Sequence, residues 1–264
     1  MEKVSFEKRQ INKNGEFTAT VLDCSQNKKI TIQEGENLDI FVNDFSHDIS
    51  LDIDIKENAK LNIALLCKNN ANNSKITAKV AQNSKISLYF ADFSSSKNNV
   101  NVVVDLEGNN AQCDWHLSSL SSKNDEKEFS IFINHNHPQT FASSDNYGVC
   151  KDSGKLVFSG TSAIYKGNVK SETKQNAKIM VFDEDCSAAA RPILKIDEND
   201  LLASHSAVVG KINDEHLFYL TSRGLKENEA KRLITYGYLK PIVKGFIDES
   251  IQDEIISLIE EKIS

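Results

Sequence analysis

Apolar and polar residues alternate with period two through much of the first two-thirds of the chain. Leu51, Ile53 and Ile55 form one such run, Ile76, Ala78 and Val80 another. Val100, Val102, Val104 and Leu106 form a third, and Phe129, Ile131 and Ile133 a fourth. This alternation buries one face of a strand and wets the other. Between these runs lies a second set of strands, each introduced by a recurring turn. Glu36-Asn37-Leu38, Glu57-Asn58-Ala59-Lys60-Leu61, Gln82-Asn83-Ser84-Lys85-Ile86 and Gln175-Asn176-Ala177-Lys178-Ile179 share an acid or amide and an Asn, followed by apolar alternation. Asn tolerates left-handed backbone angles and bonds its own backbone, which suits a repeated tight turn. Leu38, Leu61 and Ile86 are spaced 23 and 25 residues apart. With Ile179, they are expected to point inward from corresponding strand positions.

Each repeat then holds roughly two strands and two bends, and a unit of that size cannot bury its inner face alone. It must stack on its neighbours, which predicts a parallel β-helix over roughly residues 17–222 with an N-terminal cap segment before it. The same strands also fit an antiparallel sandwich. After Gly224 the period becomes helical. Ala230, Leu233 and Ile234 share a face, Gly237 is placed to stop that helix, and Pro241 suits the first turn of a short one. Ser250 to Asp253 resembles a capping box, followed by an apolar stripe of Ile251, Ile255, Leu258, Ile259 and Ile263. The division expected is a β body over 1–222 and a helical domain over 223–264. Those helices either cover the end of the β body or offer a docking face.

Composition narrows the function. The 264 residues are 26% charged and 39% hydrophobic, with a formal net charge of −7. That is an ordinary folded chain, and an acidic one without a basic stripe is a poor match for nucleic acid. The N-terminal stretch has no apolar signal core and no run could span a bilayer, so the expected location is cytoplasmic, with no membrane partner. Cys24, Cys67, Cys113, Cys150 and Cys186 are scattered and odd in number, which argues against a disulfide framework or a zinc ribbon.

Candidate chemistry is sparse. There is no Gly-rich phosphate loop, nucleophile elbow or His-Glu-x-x-His, so the chain is expected to bind no ATP itself. Asp183, Glu184 and Asp185 mimic an acidic catalytic or calcium cluster but read better as a solvated turn. His135 and His137 would point the same way in an extended segment, which permits a metal, but a polar turn explains them equally. His205 is sharper. It interrupts an apolar strand between Leu201-Leu202-Ala203 and Ala207-Val208-Val209, either as a satisfied structural histidine or as a ligand.

The stretch 190–225 carries a family resemblance. Arg191-Pro192, Leu194, Ile196, Ser204, His205, Ala207, Val209, Gly210, Phe218-Tyr219-Leu220 and Ser222-Arg223-Gly224 follow in order. This string resembles the C-terminal block of the SufB/SufD family of iron–sulfur cluster assembly proteins, in its SufD-like form. The resemblance implies a right-handed parallel β-helix followed by a small helical domain, with Phe218-Tyr219-Leu220 as a strand. It implies a non-enzymatic scaffold that pairs with a SufB-like subunit, or with a second copy of itself, and docks a SufC-type ABC ATPase. His205 would then stand at a transient iron–sulfur cluster shared with the partner, with Cys186 as the nearest thiol. Ser222, Arg223, Gly224, Ala230, Leu233 and Tyr236 would serve partner docking. The chain departs from the family where Ala203 and Ser206 flank His205, and where Ile196 occupies the position of the SufB-type thiolate. It also lacks the N-terminal helical domain of larger SufD proteins. Two other classes remain: a self-assembling structural β-helix, which would not need the Ser-Arg-Gly helical tail, and a carbohydrate-active β-helix enzyme, which would need export and a row of carboxylates.

Overall fold

A computed structural model describes residues 7–8, 19–21, 27–43, 45, 48–68 and 73–263. Cys24 and most of the expected N-terminal cap segment lie outside the described residues. The chain alternates between two sheets. The first contains β1 (Glu7–Lys8), β2 (Ala19–Val21), β4 (Asn37–Val42), β6 (Lys60–Cys67), β8 (Lys85–Asp92), β10 (Gln112–Ser121), β12 (Phe141–Cys150), β14 (Ser171–Val181) and β16 (Leu201–Lys211). The second contains β3 (Lys28–Ile32), β5 (Ser50–Ile55), β7 (Asn73–Val80), β9 (Lys97–Leu106), β11 (Glu126–His135), β13 (Lys155–Ile164) and β15 (Ser187–Ile196). From β2 onward every described pairing is parallel, and only β1 with β2 is antiparallel. This is a parallel β-helix, and the antiparallel sandwich is excluded.

Register follows the repeat. Leu38 pairs with Leu61 and Leu61 with Ile86, so one inward row climbs the coils. The turn between the sheets is a second row. Gly35, Asn58, Asn83, Asn110, Gln139 and Lys170 all adopt left-handed φ between 55° and 71°. The Asn83 side chain donates to Asn58 Oδ1 at 3.2 Å, and Asn110 donates to Asn83 Oδ1 at 3.0 Å. Asn therefore serves the turn twice, by its backbone tolerance and by a side-chain ladder.

The fourth expected turn is not one. Gln175 to Ile179 lies inside β14, and the left-handed residue of that coil is Lys170. Ile179 is buried, but it pairs with Gly148 in a different row from Ile86. A motif of short polar residues fits a strand when they can stack on polar neighbours, as Gln175 does on Ser144 and Asn176 on Asp145.

Three further expectations fail in the helical part. Phe218-Tyr219-Leu220 belongs to α1 (Asp214–Ser222), not to a strand. Asn213 caps that helix, its Oδ1 accepting from the backbone of Glu215 and His216 at 2.8 and 3.1 Å, while Asp214 and Glu215 complement the helix dipole. Gly237 does not stop α2 (Glu227–Leu239), which runs on to bury Leu239 before Pro241 opens a 3-10 helix over Lys240–Gly245. The cap of α3 (Glu249–Ile263) is Asp248 rather than Ser250, its Oδ1 accepting from Ser250 N at 2.7 Å.

The helices cover a flank rather than the end. Leu239, Ile242, Val243, Phe246, Ile255 and Ile259 pack on Phe41, Ala64, Leu66, Ala91, Phe93, Leu120 and Val149. Apart from Phe93, which follows β8, these are outward residues in the later halves of the first sheet's strands; in β6 and β8 alternation there gives way to apolar residues on both faces. Lys262 of α3 fastens the seam through Asp125 Oδ2 at 2.6 Å and the Ser94 carbonyl. Behind it lies a fully buried ion pair, Lys127 with Asp92 at 2.8 Å. Burial alone would raise the Asp92 carboxyl. Lys127 and the hydrogen bonds from Ser94 and Asn98 outweigh that and hold its pKa below the usual carboxylate value.

Candidate functional site

The last coil is where the pattern breaks. β15 and β16 are edge strands of their sheets, each paired on one side only. Leu201, Ala203, His205, Ala207 and Val209 pair with inward residues of β14, so they continue the interior rows. Among the described residues no further coil covers them, and all but half-buried Leu201 are exposed. On the other side Leu202 and Val208 are 65% and 55% exposed. A free, mostly apolar strand edge is a template for pairing with another chain. α1 follows directly and has no buried residue, leaving Phe218 74% exposed.

The interior changes character toward this end. One row reads Ile40, Ile63, Leu88, Trp115, Ser144, Gln175 and His205. It is apolar in the early coils and polar in the last three. The buried amides and hydroxyls there bond one another. Trp115 Nε1 donates to Asn146 Oδ1 at 2.8 Å, and Thr173 Oγ1 donates to Ser162 Oγ at 2.9 Å.

His205 therefore sits on an interior row yet is open to solvent, because the helix ends there. The remaining candidates lie apart from it. Cys186 is half-buried at the corner between β14 and β15, with its Sγ 3.4 Å from the Asp152 carbonyl. Cys150 lies beside it, its thiol pushed up first by burial and then by Cys186. From β16, it is Lys211 rather than His205 that reaches this corner, through Glu184 at 3.5 Å. Ile196 continues the row of His135 and Ile164 and is 39% exposed.

His135 and His137 do not form a pair. His135 is fully buried, with Nδ1 2.7 Å from Thr140 Oγ1, and burial lowers its pKa to about 4. His137 lies beyond the strand end and is exposed. Among the described residues, no three His, Cys, Asp or Glu side chains are grouped to hold a metal. Any metal or cluster at His205 thus needs ligands from outside the described residues.

The docking set also divides. Ser222, Arg223 and Gly224 are exposed, and Arg223 lies over the Tyr219 ring at 5.3 Å. Gly224 has φ +98°, which suits the sharp exit from α1. Leu233 is 49% exposed, and Tyr236 is partly buried in the helix seam. Ala230 is fully buried and cannot touch a partner directly.

Comparison with known proteins agrees with this architecture. The profile described as "SUF system FeS cluster assembly, SufBD core domain" matches residues 6–238. The chain belongs to the SufBD core-domain family. Among its relatives, the iron–sulfur cluster assembly protein SufD of Bacillus subtilis is 38% identical over 117 residues, 44% of this chain and 27% of that protein. SufD of Escherichia coli is 23% identical over 163 residues, 62% of this chain and 38% of that protein. A SufBD family protein of Mycobacterium leprae is 23% identical over 234 residues, 87% of this chain and 27% of that protein. The chain thus matches well under half the length of each of these relatives. The match spans the solenoid, α1 and most of α2, and stops before the 3-10 helix and α3. Among the described residues no helix is long and apolar enough to cross a membrane.

What the sequence did not reveal is the polar end of the interior. Gln175, Ser162, Thr173 and Asn146 were available as inward positions once the register was known, but the turn-like reading of 175–179 hid Gln175.

Proposed function

We propose that this chain is a SufD-like scaffold subunit whose open solenoid end pairs with a SufB-like protein. His205 contributes an imidazole to the place where an iron–sulfur cluster is assembled between them. A SufC-type ATPase docks on the exposed helical surface around Ser222, Arg223, Gly224 and Leu233, and ATP stays with that subunit. The cluster is cargo, built and passed on. One observation carries the reading: β16 presents an interior row, His205 included, with no coil over it among the described residues. Neutral imidazole is a suitable iron ligand, and the small neighbours Ala203 and Ala207 let a partner backbone come close.

Co-purification with SufB-like and SufC-like proteins, followed by cluster reconstitution, tests the proposal. His205→Ala is expected to keep folding and pairing while lowering cluster yield by about tenfold, the scale of disturbing a metal site. Unchanged yield returns His205 to a structural part. Recovery of the chain only as a homodimer, with no affinity for a SufB-like protein, overturns the pairing in favour of self-association through the same edge.

A further inference from the structure

Beneath His205, one strand further in, the same interior row holds Gln175. Gln175 is 4% exposed. Its Nε2 donates to Ser162 Oγ at 2.7 Å and to the Ile193 carbonyl at 3.2 Å. A backbone carbonyl only accepts, so the amide nitrogen must face Ile193 and the orientation of the group is settled. Both its N–H bonds are then spent. Its Oε1 is left buried without a hydrogen-bond partner, one of four such side-chain atoms among the described residues. The room it occupies exists because residue 160 is glycine, where a Cβ would come within 2.9 Å of Oε1.

A buried carbonyl oxygen without a donor is costly and rare in a folded protein. The next residue outward in the row is His205, whose strand lies about 4.8 Å away in a parallel sheet. An imidazole offers one N–H donor in its neutral form, and the bond made by one ring nitrogen decides which nitrogen stays bare. We propose that Gln175 is the positioning residue for His205. The two are not bonded in the open chain, where the ring is exposed; with the ring turned inward, Oε1 accepts from one ring N–H and so fixes the tautomer and the ring plane. The second nitrogen then faces the open end of the solenoid with its lone pair free. Gln175 does not touch a ligand; it acts through His205. The use made of that lone pair rests on the reading of His205 given above, whereas the hydrogen bond does not.

The test reads the imidazole directly. The full chain is labelled with 15N-histidine, and long-range proton–nitrogen spectra are recorded at mildly alkaline pH, alone and with the SufB-like partner. His205→Ala assigns the signal. The wild type is expected to show one tautomer at His205, and an even mixture overturns the proposal by itself. Gly160→Ala is the sharper variant, because the atom its Cβ would meet is the movable end of Gln175 and not backbone. It is expected to fold, with Trp115 fluorescence unchanged, and to shift the tautomer ratio about tenfold, the worth of one hydrogen bond. Gln175→Leu should do the same and serves if Gly160→Ala does not fold. An unchanged ratio in either folded variant, even with a lower Tm, leaves Gln175 a purely structural residue and overturns the proposal. If the tautomer responds while His205→Ala leaves cluster yield intact, the positioning stands and the cluster role falls.

Discussion

The first sheet has two apolar surfaces that meet different fates. Its flank is covered by α2, the 3-10 helix and α3, with Phe246 1% exposed and edge-on to Phe41 at 5.7 Å. Its last edge, β16 with α1 behind it, is bare, with Phe218 74% exposed and Leu202 65% exposed. Both surfaces are rich in large apolar groups. The flank is finished within the chain, whereas the edge is uncovered among the described residues. Exposed apolar surface of that kind marks an interaction site rather than an accident of composition.

The largest test of that contrast is a pair of equivalent truncations. Phe246→Ala opens a cavity in the seam and is expected to cost about 3–5 kcal/mol of stability in chemical denaturation. A loss under about 1 kcal/mol would mean that the helices rest loosely on the flank.

Acid probes the body that joins the two surfaces. His135 has a folded pKa of about 4 against an ordinary 6.5. The unfolded chain therefore takes up the proton first. Stability is full above about pH 6.5 and falls as the pH drops toward 4, by up to about 3 kcal/mol. Trp115, buried in the body, reports the transition, and His135→Gln should flatten that part of the pH profile. An equally steep profile in the variant would place the sensitivity elsewhere. Signals from α3 should follow Trp115, since the seam is built on the same coils.

The smallest effect is the most telling. Phe218→Ala should change stability by less than about 0.5 kcal/mol, as expected for a side chain outside the core. It should nevertheless weaken capture of the partner proteins. If it instead destabilises the isolated chain as Phe246→Ala does, α1 packs internally in solution and the contrast collapses.

How much of this was legible depends on which face a residue serves. The second sheet's strands could be read from alternation because one side is wet. Asn58 and Asn83 could be read as turns because their left-handed backbone demands a tolerant residue. Gln175 and Asn176 carry the same letters but sit in a strand, because polar neighbours in the adjoining coil satisfy them. Sequence alone does not show which neighbour a coil will find. Phe218-Tyr219-Leu220 was expected as a strand from the family resemblance, yet the Asn213 cap and the two acids after it settle a helix. The burial of the flank was signalled in Ala64-Leu65-Leu66, where alternation fails. That His205 stands on an interior row needed the register, and the register needed every coil before it.

In-register stacking also makes the solenoid a ruler. Leu38, Leu61 and Ile86 occupy one row although their spacings differ by two residues, since the bends absorb the extra length. Gain or loss of a whole coil among those crossed by the helices' flank and the last edge would keep every face and every turn. It would change only the separation between the two, in steps of about 4.8 Å. Chains that differ only in coil number would thus hold the helical flank and the open edge at different separations, without redesigning either.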